Sequence, residues 1–202
     1  MRLLISVIVL AVLSSPSSLA QAPTARQLFE AGQYEQTLEA IAQQRQLGAA
    51  NPGDTYVAVQ SLVRLGRPDQ AKAELAQLEA SGDEIWKLIA ASASRLIDGN
   101  VGAALDAGNQ AAAAAPDSFF AHYQLGLVRA QQEDWAGAAD AFERATQIDP
   151  TFAYAHYNAG LCYSRIQRPD RTAVHFQSFV TLAPMAPERA AVESFMRTLR
   201  GR

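Results

Sequence analysis

Apolar and polar positions along this chain fall into three patterns. The first is an apolar run at the start, Leu3 to Leu13, interrupted only by Ser6. The second returns every 34 residues and occupies most of the chain. Pro116, Pro150 and Pro184 keep that step, as do Trp86, Phe120 and Tyr154. Gly126 and Gly160, His122 and His156, and Tyr123 and Tyr157 keep it too. The third is a C-terminal stretch where Val192, Phe195, Met196 and Leu199 recur at helical spacing and form one apolar face.

A fixed period of this length predicts stacked supersecondary units. Each unit reads as two short antiparallel helices, with small residues where the axes approach and large ones filling the space beside them. Proline ends the second helix, because it lacks an N–H donor and restricts the residue before it. One hairpin cannot bury its apolar face alone, so the units must stack.

The text of the repeat resembles the tetratricopeptide repeat (TPR) family, whose period is 34. Phe120-Ala-His-Tyr-Gln-Leu-Gly-Leu127 answers Tyr154-Ala-His-Tyr-Asn-Ala-Gly-Leu161. In the unit 119–152, His122 takes the large-residue slot and Leu125-Gly126 the Leu-Gly pair. Trp135 takes the aromatic turn slot, and Ala138, Phe142, Ala145 and Asp149-Pro150 follow at the family spacing. Unit 153–186 keeps Gly160, Tyr163, Phe176 and Pro184 but has Thr172 and Phe179 at small slots. Unit 85–118 has Ser92 in the glycine slot and Gly108 in the large aromatic slot, and unit 52–84 is one residue short with Val59 in the glycine slot. The fragment 24–51 keeps a turn at Ala31-Gly32-Gln33-Tyr34 and a truncated first helix. The resemblance implies an all-α, right-handed superhelical solenoid of antiparallel helix pairs over 21–186. Residues 187–202 read as a C-terminal capping helix and tail.

The apolar start changes the picture of where this array works. Leu3–Leu13 follows Arg2 and is too short to span a bilayer comfortably, which takes about 20 residues. Its flanks fit a secretory signal over residues 1–20, with cleavage after Ser18-Leu19-Ala20; an uncleaved anchor is the alternative. Bacterial export, periplasmic or secreted, follows as the expectation, with no membrane span after cleavage. The single cysteine, Cys162, excludes an internal disulfide and reads as a buried, inert thiol.

Composition adds less. At 49% hydrophobic and 18% charged residues the chain is able to bury a core. A net charge of −3 argues against a nucleic-acid binder. The charge divides unevenly: the stretch from Arg165 onward carries +4 and the part between Arg2 and Arg165 carries −8. That leaves either a solvated surface or a partner docking on the basic end.

Candidate chemistry is sparse. There is no phosphate-binding loop, nucleophile elbow or zinc-ligand spacing, and no nucleophile, base and orienter set, so neither an enzyme nor a cofactor is expected. His122 and His156 share one repeat slot, which a packing role explains.

The resemblance implies a concave groove lined by first helices, with Tyr56, Trp86, Phe120, Tyr123, Tyr154, Tyr157 and Asn158 in its slots. Aromatic rings of that kind are enriched at binding hot spots, and they also serve as packing between successive first helices. The expected function is a scaffold binding a protein or peptide, an adaptor in an envelope assembly or secretion process. An end-to-end structural oligomer, or a non-catalytic subunit of an envelope enzyme complex, are the other readings.

Overall fold

The computed structural model describes residues 22–49 and 51–200. The expected signal over 1–20 and its cleavage site lie outside the described residues. Among the described residues the chain is all helix and connecting turn: α1 (Ala25–Glu30), α2 (Tyr34–Gln46), α3 (Pro52–Arg64), α4 (Pro68–Glu79), α5 (Glu84–Ile97), α6 (Val101–Ala114), α7 (Phe119–Gln131), α8 (Trp135–Ile148), α9 (Ala153–Arg165), α10 (Pro169–Leu182) and α11 (Arg189–Arg200). Consecutive helices pack as hairpins, and each hairpin packs on the next, which makes an α-solenoid.

Local chemistry sets the helix limits. Asn51 and Asp54 form a capping box at α3, and the side chains of Asp83, Asn100, Ser118 and Asp134 cap α5 to α8. The turn inside each hairpin needs one residue with positive φ. Gly32, Gly66 and Gly99 supply it in the first three hairpins, while Glu133 and Gln167 adopt it at φ 61° and 57° in the last two. That slot recurs at the repeat spacing.

Within the hairpins, packing follows the large-and-small pattern. A methyl group at Gly126 would lie 2.7 Å from the Phe142 ring, and one at Gly160 2.5 Å from the Phe176 ring. Only glycine lets those rings lie against the facing backbone. The α5–α6 hairpin reverses the arrangement: Ser92 sits on the first helix, and Gly108 on the second gives it room, since a methyl group there would lie 3.2 Å from the Ser92 hydroxyl. The Ser92 hydroxyl donates to the Ala104 carbonyl at 2.8 Å. The two slot exchanges in that unit therefore compensate each other.

Both repeat-slot histidines have a second task. His122 Nε2 lies 2.9 Å from the Pro116 carbonyl, and His156 Nε2 lies 3.1 Å from the Pro150 carbonyl. Each imidazole ties the start of its unit to the proline that closed the previous one. Cys162 is buried as expected, and burial pushes its thiol up to about 12, which leaves it inert.

The last helix starts later than its sequence suggests. Ala186-Pro187-Glu188 reads as a helix start, yet α11 begins at Arg189. Pro187 lies within 2.9 Å of a methyl position on Gly32, and Glu188 turns towards Arg64 and Tyr154. α11 buries Val192 and Met196 against α10 and joins Arg189 to Glu193 at 2.7 Å. No described helix is long and apolar enough to cross a membrane.

Candidate functional site

The first helices of the hairpins turn their aromatic slots inward, where the rings meet each other. Tyr56 on α3 contacts two rings of α7, Phe120 at 5.5 Å and Tyr123 at 6.4 Å, centroid to centroid. Trp86 lies tilted against Phe120 at 4.9 Å. Tyr123 meets Phe152 at 5.2 Å, Phe29 of α1 meets Tyr154 at 5.1 Å, and Tyr157 meets Phe179 at 5.0 Å. Gly53 allows the α3 contact with Phe120, because a methyl group there would lie 2.8 Å from the Phe120 ring.

Sequence reasoning expects these rings to stand open in the groove. Three of them do not: Tyr56, Tyr123 and Tyr154 are exposed by 1%, 2% and 0%. The reason is that the groove is filled from within. Phe29 of α1 packs on Tyr154 and Tyr56 of α3 packs on Phe120, so the chain supplies the rings that a partner would otherwise bring. Trp86, Phe120, Tyr157 and Asn158 remain half-buried. Burial holds the phenols of Tyr56, Tyr123 and Tyr154 protonated well above the ordinary tyrosine range.

Buried polar groups in this column are paired, as burial requires. The Tyr56 hydroxyl donates to Gln124 Oε1 at 2.7 Å, and the Gln124 amide donates to Ser92 Oγ at 3.3 Å. Asn158 Nδ2 donates to the Tyr123 hydroxyl at 3.2 Å. Ser92 and Gln124 thus anchor the column from positions that the sequence marks only as an odd glycine slot and one step of the Phe120–Leu127 repeat text.

Two clamps close the array on itself. At the first, Arg26 on α1 pairs with Asp149 at 2.8 Å and lies over the Phe152 ring, 4.6 Å from its centroid. Glu30 accepts the Ala153 backbone N–H at 2.8 Å. Burial pushes the Glu30 carboxyl above its usual range, although Ala153 and Arg26 pull it down. Burial also works against the Asp149 charge, but Arg26 and the Thr151 hydroxyl and amide outweigh it and hold that carboxyl low. At the second clamp, Arg64 donates to Glu188 at 2.6 Å and sits 4.5 Å over the Tyr154 ring, while Tyr154 donates to the other Glu188 oxygen at 2.8 Å. No sequence pattern of period 34 flags the three contacts that close the array: Arg26–Asp149, Glu30–Ala153 and Arg64–Glu188 each join residues more than 120 apart.

One part of the concave face stays open. Towards the C-terminal ends of α3, α5, α7 and α9 lies a cavity of about 360 Å³. Its walls are Val59, Val63, Ala93, Leu96, Ile97 and Leu127, with Gln60, Arg64, Tyr123, Gln124, Gln131 and Asn158 as polar groups. A larger, shallow cleft of about 600 Å³ lies away from the aromatic column, where Ala91, Ala103 and Ala107 leave a trough under a rim of mixed charge.

A second polar cluster joins α9 and α10. His156 Nδ1 and His175 Nδ1 are 3.2 Å apart, His175 stacks on Tyr163, and Glu143 accepts from both Tyr163 and Arg171. Among the described residues no group of three His, Cys, Asp or Glu side chains is arranged to hold a metal ion.

Known proteins place this architecture. A family model described as TPR repeat matches residues 129–167, and another described as tetratricopeptide repeat matches residues 56–119. A search of curated proteins finds no match. The solved structure of TTC0263, a thermophilic TPR protein in Thermus thermophilus, is similar over 88% of this chain and 96% of its own, with a TM-score of 0.61 and 17% identity. That of YrrB, a TPR protein with an unusual peptide-binding site, is similar over 84% of this chain and 88% of its own, with a TM-score of 0.52 and 19% identity. At such identities the likeness concerns the fold, and fold, repeat text and family matches agree: the chain belongs to the tetratricopeptide repeat family.

Proposed function

We propose that this protein is a binding scaffold, not a catalyst, and that it takes a protein or peptide partner through its concave face. The open mouth of that face carries the reading. Its apolar walls offer contact area, and Gln60, Gln131 and Asn158 supply amides that both donate and accept. A peptide backbone presents the complementary N–H and C=O groups. Of the groove set, Tyr123 and Asn158 line this mouth, and Trp86, Phe120 and Tyr157 keep part of their surface. Tyr56 and Tyr154 stand behind them and fix the wall.

TPR proteins are typically non-catalytic scaffolds, and YrrB is described as having a peptide-binding site. The apolar run Leu3–Leu13 supports export, so the partner belongs to an envelope assembly or a secretion process. A photo-crosslinking amino acid at Gln131, which is exposed at the mouth, tests the proposal. In the native host it captures a discrete partner, whereas the same probe at exposed Asp140 on α8 does not. Equal capture at both positions, or none at Gln131, overturns it.

A further inference from the structure

The α8–α9 corner lacks something its counterparts have. The helices α3, α5 and α7 each begin with a side-chain cap, from Asn51, Asp83 and Ser118. At the repeat position of Ser118 the next unit has Phe152, which cannot cap, and α9 has no side-chain cap of its own. An acceptor comes instead from 123 residues away, where Glu30 on α1 takes the first free amide of α9, the Ala153 N–H. Phe29 fills the space between Phe152 and Tyr154, and Arg26 answers Asp149. This corner is therefore a seat for one turn of helix carrying a cation, an aromatic ring three residues on, and a carboxylate on the next residue.

The resident is poorly held by its own backbone. α1 has six residues, far fewer than the 12–15 or so at which isolated helices become marginal. It hangs from the Ala31–Gln33 turn, where Gly32 at φ 75° serves as the hinge. α2 behind it buries only Thr37 and Ile41. Glu30 is buried at a cost in desolvation, and Arg26 Nη2 is buried with no partner among the described residues. Elements of this kind open locally at low free energy.

We infer that the α8–α9 corner is a helix-docking site, that α1 is its exchangeable resident, and that the partner of the concave face is a short helix presenting Arg, Phe and Glu at the spacing of Arg26, Phe29 and Glu30. The inference rests on the proposed partner binding and names the chemistry of that partner. Displacing α1 takes Phe29 off the Phe152 and Tyr154 rings and leaves that side of them to the incoming helix.

A fluorescent peptide of residues 22–34 is the probe. It is titrated against the full chain and against the full chain with Arg26→Ala and Glu30→Ala, folding of each checked by circular dichroism. The weakened resident makes the seat available more of the time, so the double variant binds about tenfold more tightly or better. A peptide with Ala at its Phe29 and Glu30 positions does not bind. On the wild-type chain, which needs no variant to fold, unlabelled peptide strips hydrogen-exchange protection from α1 and leaves Ala153 protected. Binding that ignores the Phe and Glu positions, no binding to either chain, or α1 amides that stay protected under saturating peptide overturns the inference. Crosslinking at Gln131 is an independent readout. Capture there without peptide binding removes the seat and keeps the scaffold, and peptide binding without capture does the reverse.

Discussion

At the scale of single residues, the repeat positions are decided by van der Waals contact and by one backbone angle. The glycines at 126 and 160 were legible from sequence because each faces an aromatic at a fixed offset, Phe142 and Phe176. The turn slot is equally periodic, but residue identity marks it only in the first units, since its chemistry changes from Gly32, Gly66 and Gly99 to Glu133 and Gln167. Non-glycine residues in the left-handed region lose about 1–2 kcal/mol, so Glu133→Gly is expected to stabilise the protein by up to about 1 kcal/mol after glycine's greater entropy loss is subtracted. An unchanged or lowered urea midpoint contradicts that account of the turn.

The histidine pair is the second residue-scale test. Burial lowers the pKa of His156; burial and the neighbouring His156 lower that of His175 to about 4. A histidine depressed below its unfolded value of about 6.5 contributes stability above that pH and loses it as pH falls towards the folded value. Stability is therefore expected to decline between pH 6.5 and about 4, as two imidazoles 3.2 Å apart beside Arg171 and Glu143 are forced to share charge. Comparing urea midpoints of wild type and His175→Leu across that window isolates the effect: the variant should have the shallower pH slope. Parallel slopes contradict it.

At the scale of helices, the hairpins differ in how much apolar surface they bury. α6 covers the core with Ala104, Ala107, Gly108 and Ala111, whereas α8 uses Phe142 and five further residues. Small side chains bury little area, and Gly102 and Gly108 weaken the helix by about 1 kcal/mol each relative to alanine. Amide exchange in α6 should be faster than in α8; equal or greater protection of α6 contradicts this. Helix identity was readable from the repeat and from the caps. The start of α11 was not, because Pro187 and Glu188 are committed to Gly32, Arg64 and Tyr154, which no local pattern reveals.

At the scale of the whole molecule, stacking was legible and closure was not. A 34-residue period specifies each unit's contact with its neighbour, so it predicts a solenoid and an inward aromatic ladder. It says nothing of contacts between units that are not neighbours. Those contacts, Phe29 on Tyr154, Tyr56 on Phe120 and Arg64 on Glu188, turn the ladder from an open groove into a shared core. The signals were present only as unrelated oddities: a truncated first helix, Phe152 where a cap belongs, and Glu188 before the last helix. The expected export signal makes a separate whole-molecule prediction: material from the native host should begin at Gln21, and a full-length membrane-embedded product would contradict cleavage.

The central claim is that the chain itself fills the inner end of its groove. Equilibrium urea unfolding of Tyr123→Ala tests it most directly, because Tyr123 stands where Phe119, Phe142, Phe152 and Tyr56 converge. A buried ring at that junction predicts a loss of about 3–5 kcal/mol in folding stability. A folded variant that loses less than about 1 kcal/mol, as exposed positions do, would contradict the closed groove.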